Sequence, residues 1–106
     1  MTPEKFFQEV FPTLFISDKA EGWNRVIQVT LKDDGEWILE IKDQKLTVQK
    51  GVHHKPDLEL ESDFGTFYGI FSGEVFPPNA IRLGKLRHVG SSSDFLKFSS
   101  LLKFLR

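Results

Sequence analysis

Between Gly73 and Gly90 the chain reads Gly-Glu-Val-Phe-Pro-Pro-Asn-Ala-Ile-Arg-Leu-Gly-Lys-Leu-Arg-His-Val-Gly. No single regular element can run through that stretch. A glycine just past a helix can take the left-handed conformation that ends it, so Gly73 reads as a helix stop. Proline is tolerated at the first helical position because its missing N–H would be unbonded there anyway. Pro77-Pro78 therefore opens a short helix. Gly84 closes that helix, and a brief strand through Leu86 runs out to Gly90.

The rest of the chain divides by period. Thr2 caps an opening helix with Pro3 in its first position and Glu4 at its positive end. Phe6, Phe7, Val10, Phe11 and Leu14 share one face of it, and Pro12 is expected to kink or break it near Phe11. Residues 17–24 read as a loop. From Arg25 the period becomes two. Ile27, Val29 and Leu31 alternate with Gln28, Thr30 and Lys32. Asp34-Gly35 reads as a two-residue hairpin. Trp37, Leu39 and Ile41 alternate with Glu36, Ile38, Glu40 and Lys42. Asp43-Gln44 is a second turn, expected to be less regular because Gln is poorly suited to a positive φ. Leu46 and Val48 mark a third strand, and Leu58 and Leu60 a fourth. Such alternation predicts a sheet with one wet and one buried face.

Helical spacing then returns. Ser62 or Asp63 caps a helix carrying Phe64, Phe67, Tyr68 and Phe71. Gly65 and Gly69, on its other side, each cost about 1 kcal/mol relative to Ala. They imply close packing or a helix that must move. After the double-proline helix, Ser91-Ser92-Ser93-Asp94 offers caps for a last helix. Phe95, Phe98, Leu101, Leu102 and Leu105 are expected on one face of it. Leu96 and Phe104 fall off that face and read as exposed or as contacts with a partner. The order α-β-β-β-β-α-α-β-α is an α+β signature.

Composition narrows the function classes. At 106 residues the chain is read as one domain, 1–106. A net charge of −1 gives no broad electrostatic case for nucleic acid or an anionic membrane, although Lys97, Lys103 and Arg106 load the last helix. The absence of cysteine excludes disulfides and thiolate chemistry and fits a cytoplasmic protein. No signal peptide or bilayer-spanning run is read, and Phe104-Leu105-Arg106 is not a peroxisomal tripeptide. Phenylalanine stands out, with 11 copies against one Tyr and two Trp. That excess builds either a solid aromatic core or a core wrapped around something apolar.

From about Val26 to its end the chain resembles the sterol carrier protein 2 family of lipid-binding domains. Trp37-Ile38-Leu39-Glu40-Ile41, Pro56-Asp57-Leu58-Glu59-Leu60, Pro77-Pro78-Asn79-Ala80 and Gly84-Lys85-Leu86-Arg87 carry the resemblance by occurring in that order. Two positions depart from the family pattern. His88 stands where the family has a second apolar residue, and Gln44 where it has the Gly of an Asp-Gly turn. Larger members also have C-terminal sequence that helps close the cavity.

The resemblance implies a five-stranded, mainly antiparallel sheet covered on one face by helices. It implies an apolar tunnel for a sterol, fatty acid, fatty acyl-CoA or phospholipid. The matching positions are Phe64, Phe67, Tyr68 and Phe71, then Val75, Phe76, Ile81 and Leu83, then Leu86 and His88, then Phe95, Phe98 and Leu102. The residues leave open that these side chains fill the space themselves. In that case the domain would dimerise or dock to a partner enzyme. His88 faces inward with Leu86 by period two, as a head-group contact, a pH-sensitive element or a hydrogen-bonded histidine. His53-His54 lacks a carboxylate or Cys companion for a metal. Ser91–Ser93, His88 and Asp94 hold the letters of a triad but read better as helix caps. The expectation is a non-enzymatic lipid carrier with no cofactor and no metal, making at most transient contact with membranes.

Overall fold

The period-two segments form one sheet. In the computed structural model, which describes residues 1–105, β1 (Arg25–Leu31), β2 (Gly35–Lys42), β3 (Lys45–Lys50), β4 (Leu58–Ser62) and β5 (Leu86–Val89) take the order β3-β2-β1-β4-β5. Every pairing is antiparallel except β1 with β4, which is parallel, so the fold is α+β with a mixed sheet. Arg106, read above with the basic C-terminal residues, lies outside the described residues.

The register lays apolar residues in rows across the inner face. One row runs Lys50, Trp37, Val29, Leu60, His88, because each is paired with the next across a strand boundary. Its two ends, at the sheet edges, are the polar residues. Lys50 extends its ammonium over the Trp37 ring, 5.3 Å from the centroid.

The opening helix departs from expectation. It begins as α1 (Pro3–Lys5), capped by the Thr2 hydroxyl, and passes through a π-helical turn at Phe6–Val10 into α2 (Phe11–Leu14). Pro12 does not break it. The Phe11 amide reaches back five residues to the Phe6 carbonyl, and this wider turn keeps the proline ring clear of the carbonyls behind it. The same turn rotates Phe11 back over Phe6, their ring centroids 5.9 Å apart. Phe6, Phe7 and Phe11 are fully buried as a result, and Phe7 stacks on Trp37 at 4.9 Å.

Three local expectations are corrected. Residues Ser17–Ala20 form a 3-10 turn rather than plain loop. The first hairpin is closed by Lys32, Asp33 and Asp34, with Gly35 already paired to Leu31, so the turn has three residues. Both Asp side chains are used there. Asp33 accepts the Phe64 amide at 3.0 Å, and Asp34 accepts the Trp37 indole N–H at 3.4 Å. The Asp43-Gln44 turn is a regular two-residue one, with φ of 51° and 64° and Lys42 paired to Lys45. The strain of a positive φ on Gln44 is offset by its side chain, which donates to the Ser17 carbonyl, while Asn24 accepts the Asp43 amide.

The outer face is not uniformly wet. Gln28 and Ile38, paired on that face, are buried beneath residues 51–53. Gln28 donates to the Gly51 carbonyl at 2.9 Å and accepts the His53 amide at 2.8 Å, and its Nε2 lies 3.3 Å from the Trp37 carbonyl.

Candidate functional site

Three helices and a short terminal segment meet over β4 and β5. Asp63 caps α3 (Phe64–Ser72), its carboxylate accepting the Thr66 amide at 2.7 Å and the Thr66 hydroxyl at 2.9 Å. Those bonds, the amide first, hold the Asp63 pKa below the ordinary aspartate value, with help from the Lys85 charge and against some desolvation. Ser62, the other cap candidate, is instead buried at the end of β4. Gly73, with φ of 86°, ends α3 in the left-handed conformation. The amides of Glu74 and Val75 then fold back onto the Gly69 carbonyl. This presses Val75 against Gly69, which explains the glycine by close packing.

Helix α4 (Pro77–Arg82) starts on its proline and closes through Gly84, with the Lys85 amide bonded to the Ala80 carbonyl. Helix α5 (Ser92–Ser100) is capped by Ser91 and anchored by Asp94, whose carboxylate takes the Arg25 guanidinium and the Trp23 indole N–H. It ends at Ser100, short of Leu101, Leu102 and Leu105, which its apolar spacing places on it. The Leu101 carbonyl accepts the Ile16 amide at 2.7 Å, and the Lys103 amide donates to the Leu14 carbonyl at 2.8 Å. These bonds and the Phe15–Leu102 bridge pull the chain out of the helix. Leu105 is therefore not on α5; its amide donates to the Phe71 carbonyl at 2.8 Å.

Under this strap lies a cavity of about 130 Å³, lined by Leu60, Phe67, Ile70, Phe71, Pro77, Leu86, Phe95, Phe98, Ser99, Leu102, Lys103 and Phe104. Among the described residues, Ser99 and Lys103 are its only polar lining. The phenylalanines thus serve both purposes that the composition left open. Phe6, Phe7 and Phe11 fill the side of the sheet near Trp37, where Phe67 stacks on Phe7 at 5.6 Å. On the β4–β5 side an apolar space stays open, with Phe67 and Phe71 between the two.

Of the thirteen residues singled out in the sequence, the cavity gathers Phe67, Phe71, Leu86, Phe95, Phe98 and Leu102. The other seven lie elsewhere. Phe64 and Tyr68 pack their rings on Phe6. Val75 covers Gly69. Phe76, Ile81 and Leu83 are exposed, at 65%, 39% and 58%. His88 faces inward, opposite Leu60, but stacks flat behind Phe95, with centroids 4.4 Å apart and planes at 9°. Its Nδ1 is buried without a hydrogen-bond partner. Sequence reasoning missed Leu60, Ile70, Pro77, Ser99, Lys103 and Phe104 as lining. Leu60 was legible as an inward strand residue and Ile70 by its spacing from Phe67. Ser99 follows Phe95 by four residues on α5, whereas Lys103 and Phe104 depend on where that helix stops.

Other chemistry is sparse. Among the described residues, no group of three or more His, Asp or Glu side chains is placed to hold a metal ion. Ser91 and Asp94 are engaged as cap and anchor, as described above. Among the described residues, no helix is long and apolar enough to cross a membrane.

Comparison with known proteins follows the same fold. The family model described as the SCP-2 sterol transfer family matches residues 13–103. Hydroxysteroid dehydrogenase-like protein 2 of Xenopus laevis is 33% identical over 72 residues, covering 67% of this chain and 17% of that protein. Among solved structures, the inverting sec-alkylsulfatase Pisa1 from Pseudomonas sp. superposes with a TM-score of 0.86 at 23% identity, covering 100% of this chain and 17% of that enzyme. Sterol carrier protein 2 like 2 from Aedes aegypti superposes with a TM-score of 0.61 at 20% identity, covering 74% of this chain and 73% of that one. The chain therefore spans about a sixth of the length of the Xenopus and Pseudomonas proteins that it matches.

Proposed function

Because the chain belongs to the SCP-2 sterol transfer family, we propose that it binds an apolar lipid in the cavity beneath its C-terminal strap, without catalysing a reaction on it. The observation that carries this reading is the cavity itself, an open apolar space beside an otherwise tightly packed aromatic core. Each methylene moved there from water contributes about 0.8 kcal/mol. An apolar cavity of about 150 Å³ holds a ligand the size of benzene. The volume here, about 130 Å³, therefore suits a short length of alkyl chain. A longer chain or a ring system requires the strap of Lys103 and Phe104 to move outward.

Titration with a fluorescent fatty acid, together with native mass spectrometry of gently purified protein, tests the proposal. Saturable binding that is lost in Leu102→Trp, which fills the cavity from its wall, supports it. No saturable binding, or binding unchanged in Leu102→Trp, rejects it.

A second reading is favoured by one comparison. The whole chain superposes on a part of the sulfatase that makes up 17% of that enzyme. The domain would then act as an accessory unit docked to an enzyme. An inert cavity in the titration, with stable co-elution of an enzyme, would favour that role.

A further inference from the structure

The phenylalanines stand in two layers, and only one of them borders the cavity. Phe67 and Phe71 line it, and both are buried. Behind them stand Phe7 and Phe11, both fully buried. Phe67 stacks on Phe7 at 5.6 Å and lies 6.4 Å from Phe11, while Phe71 meets Phe11 edge-on at 5.6 Å. Phe7 rests in turn on Trp37 of the sheet. Rings are therefore in contact all the way from the cavity wall to β2.

A ring with a fully buried ring at its back cannot turn away from the cavity without overpacking the core. The π turn of the first helix is responsible, because it carries Phe11 over Phe6 and into the back layer. Two other walls are also backed. Leu60 and Leu86 belong to the sheet, and Phe95 has the His88 ring flat against it at 4.4 Å. The side that can yield is the mouth, where Lys103 and Phe104 line the cavity and are themselves exposed.

We propose that this double aromatic wall is a length gauge: the cavity takes the end of a single unbranched alkyl chain, and Phe67 and Phe71 set where that chain stops. The inference rests on the lipid-binding reading above and narrows it to a single-chain ligand. A cavity of about 150 Å³ holds benzene, so about 130 Å³ corresponds to about six carbons. Carbons beyond that number stay outside the mouth, where burial adds little. A fused ring system or a second acyl chain does not fit between these walls.

Calorimetric titration of the full chain with straight-chain primary alcohols of four to ten carbons tests it. Affinity is expected to rise about fourfold with each methylene up to about six carbons and then to level off. Phe71→Ala leaves a space of about the lost ring and is expected to carry the rise on for about three more carbons. Phe71→Leu, the gentler change should Phe71→Ala not fold, is expected to carry it on for about one. Phe64→Leu, an equal change on the ring that packs against Phe6, leaves the break where it is. A rise that continues unbroken to ten carbons in the parent overturns the proposal and leaves the cavity reading intact. So does a break that stays at one length in the Phe71 variants. So does a break that Phe64→Leu shifts as far as Phe71→Leu does, which makes it a matter of general loosening. Absence of binding by every alcohol sinks the cavity reading itself, and this inference with it.

Discussion

Gly69 and Val75 touch so closely that a Cβ built on Gly69 would stand 2.5 Å from the Val75 Cγ2. A Gly→Ala change inside a helix ordinarily stabilises by about 1 kcal/mol. Here the overlap reverses the sign, and Gly69→Ala is expected to destabilise by about 1–3 kcal/mol. Urea denaturation checks it, and adding Val75→Ala should recover most of the loss. Gly65→Ala, whose Cβ meets only the Asp63 carboxylate oxygen at 3.3 Å, is the milder comparison.

Gln28 is a buried polar residue with both ends of its amide occupied. Gln28→Leu leaves the Gly51 carbonyl and the His53 amide without that partner, at a cost of about 2–3 kcal/mol. Gln49→Ala, on the exposed edge strand, is expected to stay within about 0.5 kcal/mol of the parent. Thermal unfolding of the two variants side by side decides whether the loop over the outer face is held by this one side chain.

Asp63 links α3 to pH. Its pKa is lower in the folded chain than in the unfolded one, chiefly through the Thr66 amide. The stability it contributes is therefore fully present above the ordinary aspartate range and is lost as pH falls through the folded value. Asp63→Ala is expected to cost about 1 kcal/mol at neutral pH. Asp63→Asn keeps an acceptor for the Thr66 amide and should flatten this part of the acid dependence. Chemical denaturation across acidic pH separates the two.

His88 offers a change that should strengthen the protein. Its Nδ1 is buried without a partner while its ring lies flat on Phe95. His88→Phe keeps the stack and removes the unpaired atom, for an expected gain of about 1 kcal/mol. His88→Ala loses the stack and is expected to destabilise. A His88→Phe melting temperature at or below that of the parent would show that the polar atom is satisfied in solution.

The sheet was legible in the sequence because its determinants are local. Alternation set the faces of Trp37, Leu39 and Ile41, and glycines and prolines set the ends of α3 and α4. What escaped depended on distant partners. Pro12 looked like a breaker because a π turn cannot be read from spacing. Gln44 looked strained because its relief comes from the Ser17 carbonyl. Leu105 looked helical because the hydrogen bonds that end α5 come from Leu14, Ile16 and Phe71, far away in the chain. The cavity was legible only in part for the same reason. Its helical wall follows from periodicity, whereas the side made by Lys103 and Phe104 exists only because the strap leaves the helix. Phe76, Ile81 and Leu83 satisfied the apolar spacing equally well and face outward.

The bridge between Phe15 and Leu102 joins positions near opposite ends of the sequence. The first helix, with three phenylalanines on its buried face, thus emerges from the ribosome before residues 101–103 exist to fasten it. The nascent chain is most aggregation-prone until Trp37, Phe67 and Phe71, which cover that face, have followed it out, and the end of the helix stays unfastened until residues 101–103 arrive.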